Sequence, residues 1–154
     1  MKRILPFLLF ICGCQSHSQW QAQQVKSEET LCSRLAYSSK DPTAGIDMEL
    51  LQYGSELVAY LQVSGQLTPN KKGKVEVTLT SDSTQVTYKL PCREGKQRLK
   101  LSREAIQTLI AELEKHPTLT LELPGYRETL EKEEFQKALK KLRKGPSFLK
   151  VNVL

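Results

Sequence analysis

From Ile46 to Leu90 apolar side chains return at every second position, and this period constrains the fold more than any other feature. "IDMEL" sets Ile46, Met48 and Leu50 against Asp47 and Glu49. After a break at Tyr53-Gly54-Ser55, "ELVAYLQV" places Leu57, Ala59, Leu61 and Val63 on one side, with Val58 and Tyr60 on the other. A strand apolar on both faces belongs inside a sheet rather than at its edge. "KVEVTLT" turns Val75, Val77 and Leu79 inward, and "QVTYKL" repeats the pattern with Val86, Tyr88 and Leu90. "RLKL" adds a short strand over 98–101, while polar turns at 68–73 and Asp82-Ser83 separate the runs. Strand side chains alternate between faces, so short alternating runs joined by tight turns specify an antiparallel meander or small sandwich.

The period then changes. Ser102 is a good helix N-cap with Glu104 in the first turn. Ile106, Leu109, Ile110 and Leu113 follow at i, i+3, i+4 and i+7, one apolar stripe, until His116-Pro117 stops the helix. "TLTLEL" (118–123) alternates as a strand and Pro124-Gly125 turns the chain. A second helix is expected from about Leu130 to Lys144, burying Phe135, Ala138, Leu139 and Leu142. Its acidic start (Glu131, Glu133, Glu134) and basic end (Lys140, Lys141, Arg143, Lys144) suit the helix dipole. Gly145-Pro146 stops it, and "FLKVNVL" (148–154) reads as a closing strand. The expected class is α+β: about five strands, then helix, strand, helix and strand, with the helices packed on the sheet.

The amino end has another character. Met1-Lys2-Arg3 is a positive n-region, Ile4 to Ile11 is apolar, and small residues follow, the order of a secretory signal. Ile4 to Cys14 as a helix would reach roughly 16 Å, about half of a ~30 Å hydrocarbon core, so it does not span a bilayer. Ile11-Cys12-Gly13-Cys14 resembles the lipobox of bacterial lipoproteins: an aliphatic residue, a small residue, Gly, then the modified Cys. The resemblance covers about the first 14 residues. It implies that residues 1–13 are removed and that Cys14 carries a diacylglyceryl thioether and an acylated (palmitoyl-type) amine. The bilayer would then be a partner through Cys14. Gln15, where inner-membrane lipoproteins of enterobacteria carry Asp, points to the outer membrane if the organism has one. Cleavage after Ser16 by the ordinary signal peptidase, giving a secreted protein without lipid, is the rival expectation.

Residues 14–29 are rich in Gln and Ser and read as a flexible tether, with Trp20 either at the membrane interface or packed on the domain. Residues 30–154 then form a single α+β domain, long enough to bury a core. Export would put Cys32 and Cys92 in an oxidising space, where a structural disulfide closing a loop of roughly 60 residues would be worth on the order of 4 kcal/mol.

The 154 residues carry 23 Lys+Arg against 17 Asp+Glu, a net charge of +6 that loses two with the signal. That excess is mild for a nucleic-acid binder, which is excluded as a partner. It collects in two places. Lys71, Lys72 and Lys74 crowd one turn, and Lys132, Lys140 and Lys144 form a row on the second helix with Lys137 and Lys141 beside it. This face is the candidate contact for anionic lipid, cell-wall polymer or an acidic envelope protein. Catalytic signals are sparse: no G-x-S-x-G, S-x-x-K or H-E-x-x-H pattern occurs. His17 lies in the tether, and His116 reads as a helix-end residue rather than a metal ligand or general base. The expectation is therefore a non-catalytic envelope interaction module without cofactor or metal. A hydrolase with a dispersed site is the alternative, and a partnered His116 in a concave pocket would speak for it.

Overall fold

A computed structural model describes residues 19–26, 31–92 and 95–143. In chain order the described elements are β1 (Trp20–Lys26), β2 (Leu31–Tyr37), β3 (Ile46–Tyr53), β4 (Glu56–Val63), β5 (Lys74–Thr80), β6 (Gln85–Pro91) and β7 (Arg98–Lys100). There follow α1 (Arg103–Lys115), β8 (Thr118–Leu123), β9 (Tyr126–Glu131) and α2 (Lys132–Arg143). The strands form two antiparallel sheets, one ordered β1-β2-β3-β4-β7 and the other β6-β5-β8-β9, so the architecture is α+β.

Alternation decides which faces meet. Ile46, Met48 and Leu50 are buried on β3, and Ala59, Leu61 and Val63 on β4. The register pairs Met48 with Leu61 and Leu50 with Ala59, so these side chains share one face. From the second sheet come Val75, Val77, Leu79, Leu119 and Leu121, and both sets join one apolar core with α1 and α2. β4 lies between β3 and β7, and Val58 on its other face is also buried, as its two-sided apolar pattern requires. α1 starts as expected: Ser102 Oγ accepts the Ala105 N–H at 3.2 Å, and Ala105, Ile106, Leu109 and Leu113 are buried. Gly125, with φ of +83°, makes the β8–β9 turn in a region that residues with a Cβ avoid.

Three parts depart from the sequence reading. The Gln-rich segment expected to be a tether contains β1, which pairs along its whole length with β2, from Trp20 opposite Tyr37 to Lys26 opposite Leu31. Trp20 is only 2% exposed, so it packs on the domain. The cause is tertiary. Trp20 and Ala22 turn toward the core while Gln21 and Gln23 face water, and one large aromatic supplies the burial that a polar edge strand otherwise lacks. β2 was not expected as a strand; its inward set, Ser33, Leu35 and Tyr37, includes a serine and carries a weak apolar signal. The third departure is β9, which occupies the stretch between the Pro124-Gly125 turn and the expected helix. The helix accordingly begins at Lys132 rather than Leu130. Leu130 is buried as a strand residue opposite Leu119, a position equally compatible with a first helical turn in sequence alone. Residues 148–154, expected as a closing strand, lie outside the described residues, as does the Leu142 side chain.

Candidate functional site

The basic helix is placed by aromatic packing. Phe135, fully buried near the start of α2, lies 5.2 Å from the Trp20 ring, and Trp20 lies 5.0 Å from Tyr37. Ala138 and Leu139 continue the inward stripe. With 3.6 residues per turn, Lys137, Lys140 and Lys141 fall on the opposite side, and all three are exposed. Lys132 is half-buried at the first turn, and Glu133 sits among the lysines as the one exposed carboxylate of the helix. Lys144 and Cys14 lie outside the described residues. The fold thus packs α2 on β1, the first described strand, with the lysine face turned outward.

That entry is fixed by a polar node. Gln19 Nε2 donates to the Tyr37 hydroxyl at 2.9 Å and to the Ser38 carbonyl at 3.3 Å. The Tyr37 hydroxyl donates to Glu128 Oε1 at 2.8 Å, and Glu128 Oε2 accepts the Ile46 N–H at 3.2 Å. Burial, then the adjacent Glu128 carboxylate, pushes the Tyr37 phenol far above its ordinary value. β1, β2, β3 and β9 therefore meet at one hydrogen-bonded point.

The expected disulfide is not formed. Cys32 sits on β2 opposite Tyr53, and Cys92 follows β6, its N–H donating to the Gly73 carbonyl. Cys32 lies in the five-stranded sheet, and Cys92 just after β6 of the four-stranded sheet. The Cys32 thiol instead touches Tyr53, whose phenol it pushes up.

Arg34, Glu49 and Arg98 form a second cluster on the outer face of the five-stranded sheet. Both guanidinium groups donate to the Glu49 carboxylate, and Arg98 lies 4.0 Å over the Tyr60 ring. These groups line a concavity of about 130 Å³ in which Glu49 engages both guanidinium groups. His116, the C-cap of α1, is partnered as well. Its Nε2 lies 3.3 Å from Glu112 Oε2 and 3.4 Å from the Ser83 hydroxyl, and Ser81 Oγ donates to the same Glu112 oxygen at 2.6 Å. This is a helix end tied to the β5–β6 turn; His116 lines neither this concavity nor the one described next. Among the described residues no group of three or more His, Cys, Asp or Glu side chains is arranged to hold a metal, and no helix is long and apolar enough to cross a membrane.

The turn lysines are better organised than the sequence indicated. Lys71, Lys72 and Lys74 are joined by Lys89 of β6 around a concavity of about 400 Å³ that also includes Asn70. Lys89 arrives through strand register, since β6 pairs Leu90 with Val75 and Lys89 with Glu76. Aligning the two alternating runs as a hairpin would have revealed it.

Comparison with known proteins returns no matching family model, no matching curated protein and no matching solved structure.

Proposed function

We propose that the chain is a lipid-anchored lipoprotein of the bacterial envelope, acting as a non-catalytic interaction module. The observation that carries this reading is Ile11-Cys12-Gly13-Cys14 behind a basic start and a short apolar run. Cleavage after Gly13 exposes the Cys14 amine, and acylation of its sulfur and nitrogen supplies several buried chains at ~0.8 kcal/mol per methylene, far above the marginal hold of one. Gln15 favours the outer membrane where two membranes exist.

The geometry supports a domain held close to its bilayer. Only four residues lie between Cys14 and Gln19, the first described residue, so even fully extended the five steps between them reach about 18 Å. α2 packs on the strand that this link enters. Its exposed lysines then lie within reach of anionic headgroups, where each near-surface Lys is worth about 1 kcal/mol within a Debye length. The remaining surface is left for an envelope protein or wall polymer.

The test is processing. Cys14→Ser, or an inhibitor of the lipoprotein signal peptidase such as globomycin, should leave the precursor uncut in its own cells. Normal maturation under both would overturn the reading. The envelope hydrolase remains the second reading because His116 contacts both a carboxylate and a hydroxyl. Hydrolytic turnover by the purified protein that His116→Gln abolishes would establish it.

A further inference from the structure

We infer that the concavity formed by Lys71, Lys72, Lys74 and Lys89 is a binding site for a ligand carrying two or more clustered phosphate groups. This inference goes beyond the anchor and does not depend on it.

The walls are set by backbone hydrogen bonds rather than by side-chain chance. Asn70 Oδ1 accepts the N–H groups of Lys72 at 2.9 Å and Lys74 at 3.1 Å, while its own N–H donates to the Lys74 carbonyl at 2.8 Å. Gly73, at φ of +70°, closes the turn by donating to the Asn70 carbonyl at 2.9 Å, and its own carbonyl receives the Cys92 N–H at 3.0 Å. The stems of Lys71 and Lys72 therefore leave from a fixed turn ahead of β5, and those of Lys74 and Lys89 from the paired strands β5 and β6.

Charge distinguishes this hollow from the other. At Arg34 and Arg98 each guanidinium is matched by Glu49. Here four lysines line one space and, among the described residues, no carboxylate lines it; Glu76, which pairs with Lys89 at 3.3 Å, is not among the lining residues, and both side chains of that pair are more than half exposed. An exposed pair of that kind is weak and exchangeable. The volume of about 400 Å³ lies within the range of small-ligand sites. Lysine ammonium groups are compact point charges that bind phosphate without demanding the planar geometry of a single carboxylate. Among the described residues no aromatic ring lines the hollow to stack a nucleobase, so recognition rests on clustered negative charge.

The same chemistry occurs on a soluble polyphosphorylated molecule and on a phosphomonoester headgroup, and the test separates them. Protein isolated from its own cells in neutral detergent is titrated with inorganic tripolyphosphate by calorimetry, and its binding to vesicles with and without phosphatidic acid is measured. Saturable single-site binding of tripolyphosphate assigns the hollow to a soluble ligand. Binding of phosphatidic acid vesicles alone assigns it to the headgroup. In either arm Lys71→Gln/Lys72→Gln/Lys89→Gln should weaken binding at least tenfold. Lys40→Gln/Arg103→Gln/Lys115→Gln, which removes equal charge from exposed sites elsewhere, should change it less than twofold. Equal losses in both triple variants, or no binding in either arm, would overturn the inference.

Discussion

Tyr37 shows how one side chain ties the fold together. Its ring packs on Trp20 while its hydroxyl bridges Gln19 to Glu128, so apolar burial and a charge-assisted hydrogen bond act on the same residue. Tyr37→Phe keeps the ring and removes the bridge, leaving the half-buried Glu128 short of a donor. The expected cost at pH 7 is about 1–3 kcal/mol, read from urea denaturation. The pH dependence carries a sign. The folded phenol is harder to ionise than the unfolded one, so the hydroxyl's contribution is complete below a pH of about 10, the ordinary tyrosine value, and falls as pH rises beyond it. The stability gap between the natural protein and Tyr37→Phe should therefore be flat from pH 6 to 9 and narrow above 10. A gap that widened above 10 would contradict the assignment.

At the scale of elements, β1 and α2 stand or fall together through Trp20 and Phe135. Phe135→Ala should destabilise by about 3–5 kcal/mol, the range for a fully buried aromatic. The chain holds one tryptophan, so its fluorescence reports the same contact: emission should shift to the red in Phe135→Ala. An unchanged spectrum would mean that β1 does not dock as described. The elements legible in the sequence were those whose own pattern decides them. β3 and β5 alternate, β4 is apolar on both faces, and α1 has a Ser102 cap, a regular stripe and a proline stop. β1 and β2 were not legible, because Gln21, Gln23, Ser33 and Arg34 lower their local apolar content and their stability comes from each other and from α2. β9 was hidden because "YRETLE" has strong strand formers beside acidic residues that equally suit a helix start. For the candidate sites, the lysine face of α2 could be read from helical periodicity. The Lys89 contribution required hairpin register, and the cysteine pairing rested on an even count of thiols, which carries no information about distance.

For the whole molecule, the proposed location rests on two features far apart in sequence: the proposed acylation of Cys14, and the basic helix α2 packed on β1, the first strand after it. Under the proposal, either alone is insufficient to orient a domain, and together they would press one face toward headgroups. The α2 contribution is separable. Lys137→Gln/Lys140→Gln/Lys141→Gln should weaken binding of the Cys14→Ser mature chain to phosphatidylglycerol vesicles, by about 1 kcal/mol for each lysine that reaches the surface at low salt. It should leave binding to neutral vesicles unchanged. Equal binding of both proteins to anionic vesicles would remove α2 from the membrane contact. The most direct measurement is the intact mass of the amino-terminal peptide of protein extracted from its own cells. The account predicts that this peptide begins at Cys14 and carries the mass of a diacylglyceryl group and an amide-linked acyl chain, with the protein partitioning into detergent. A peptide beginning at any other residue, or at Cys14 without acyl mass, would contradict it.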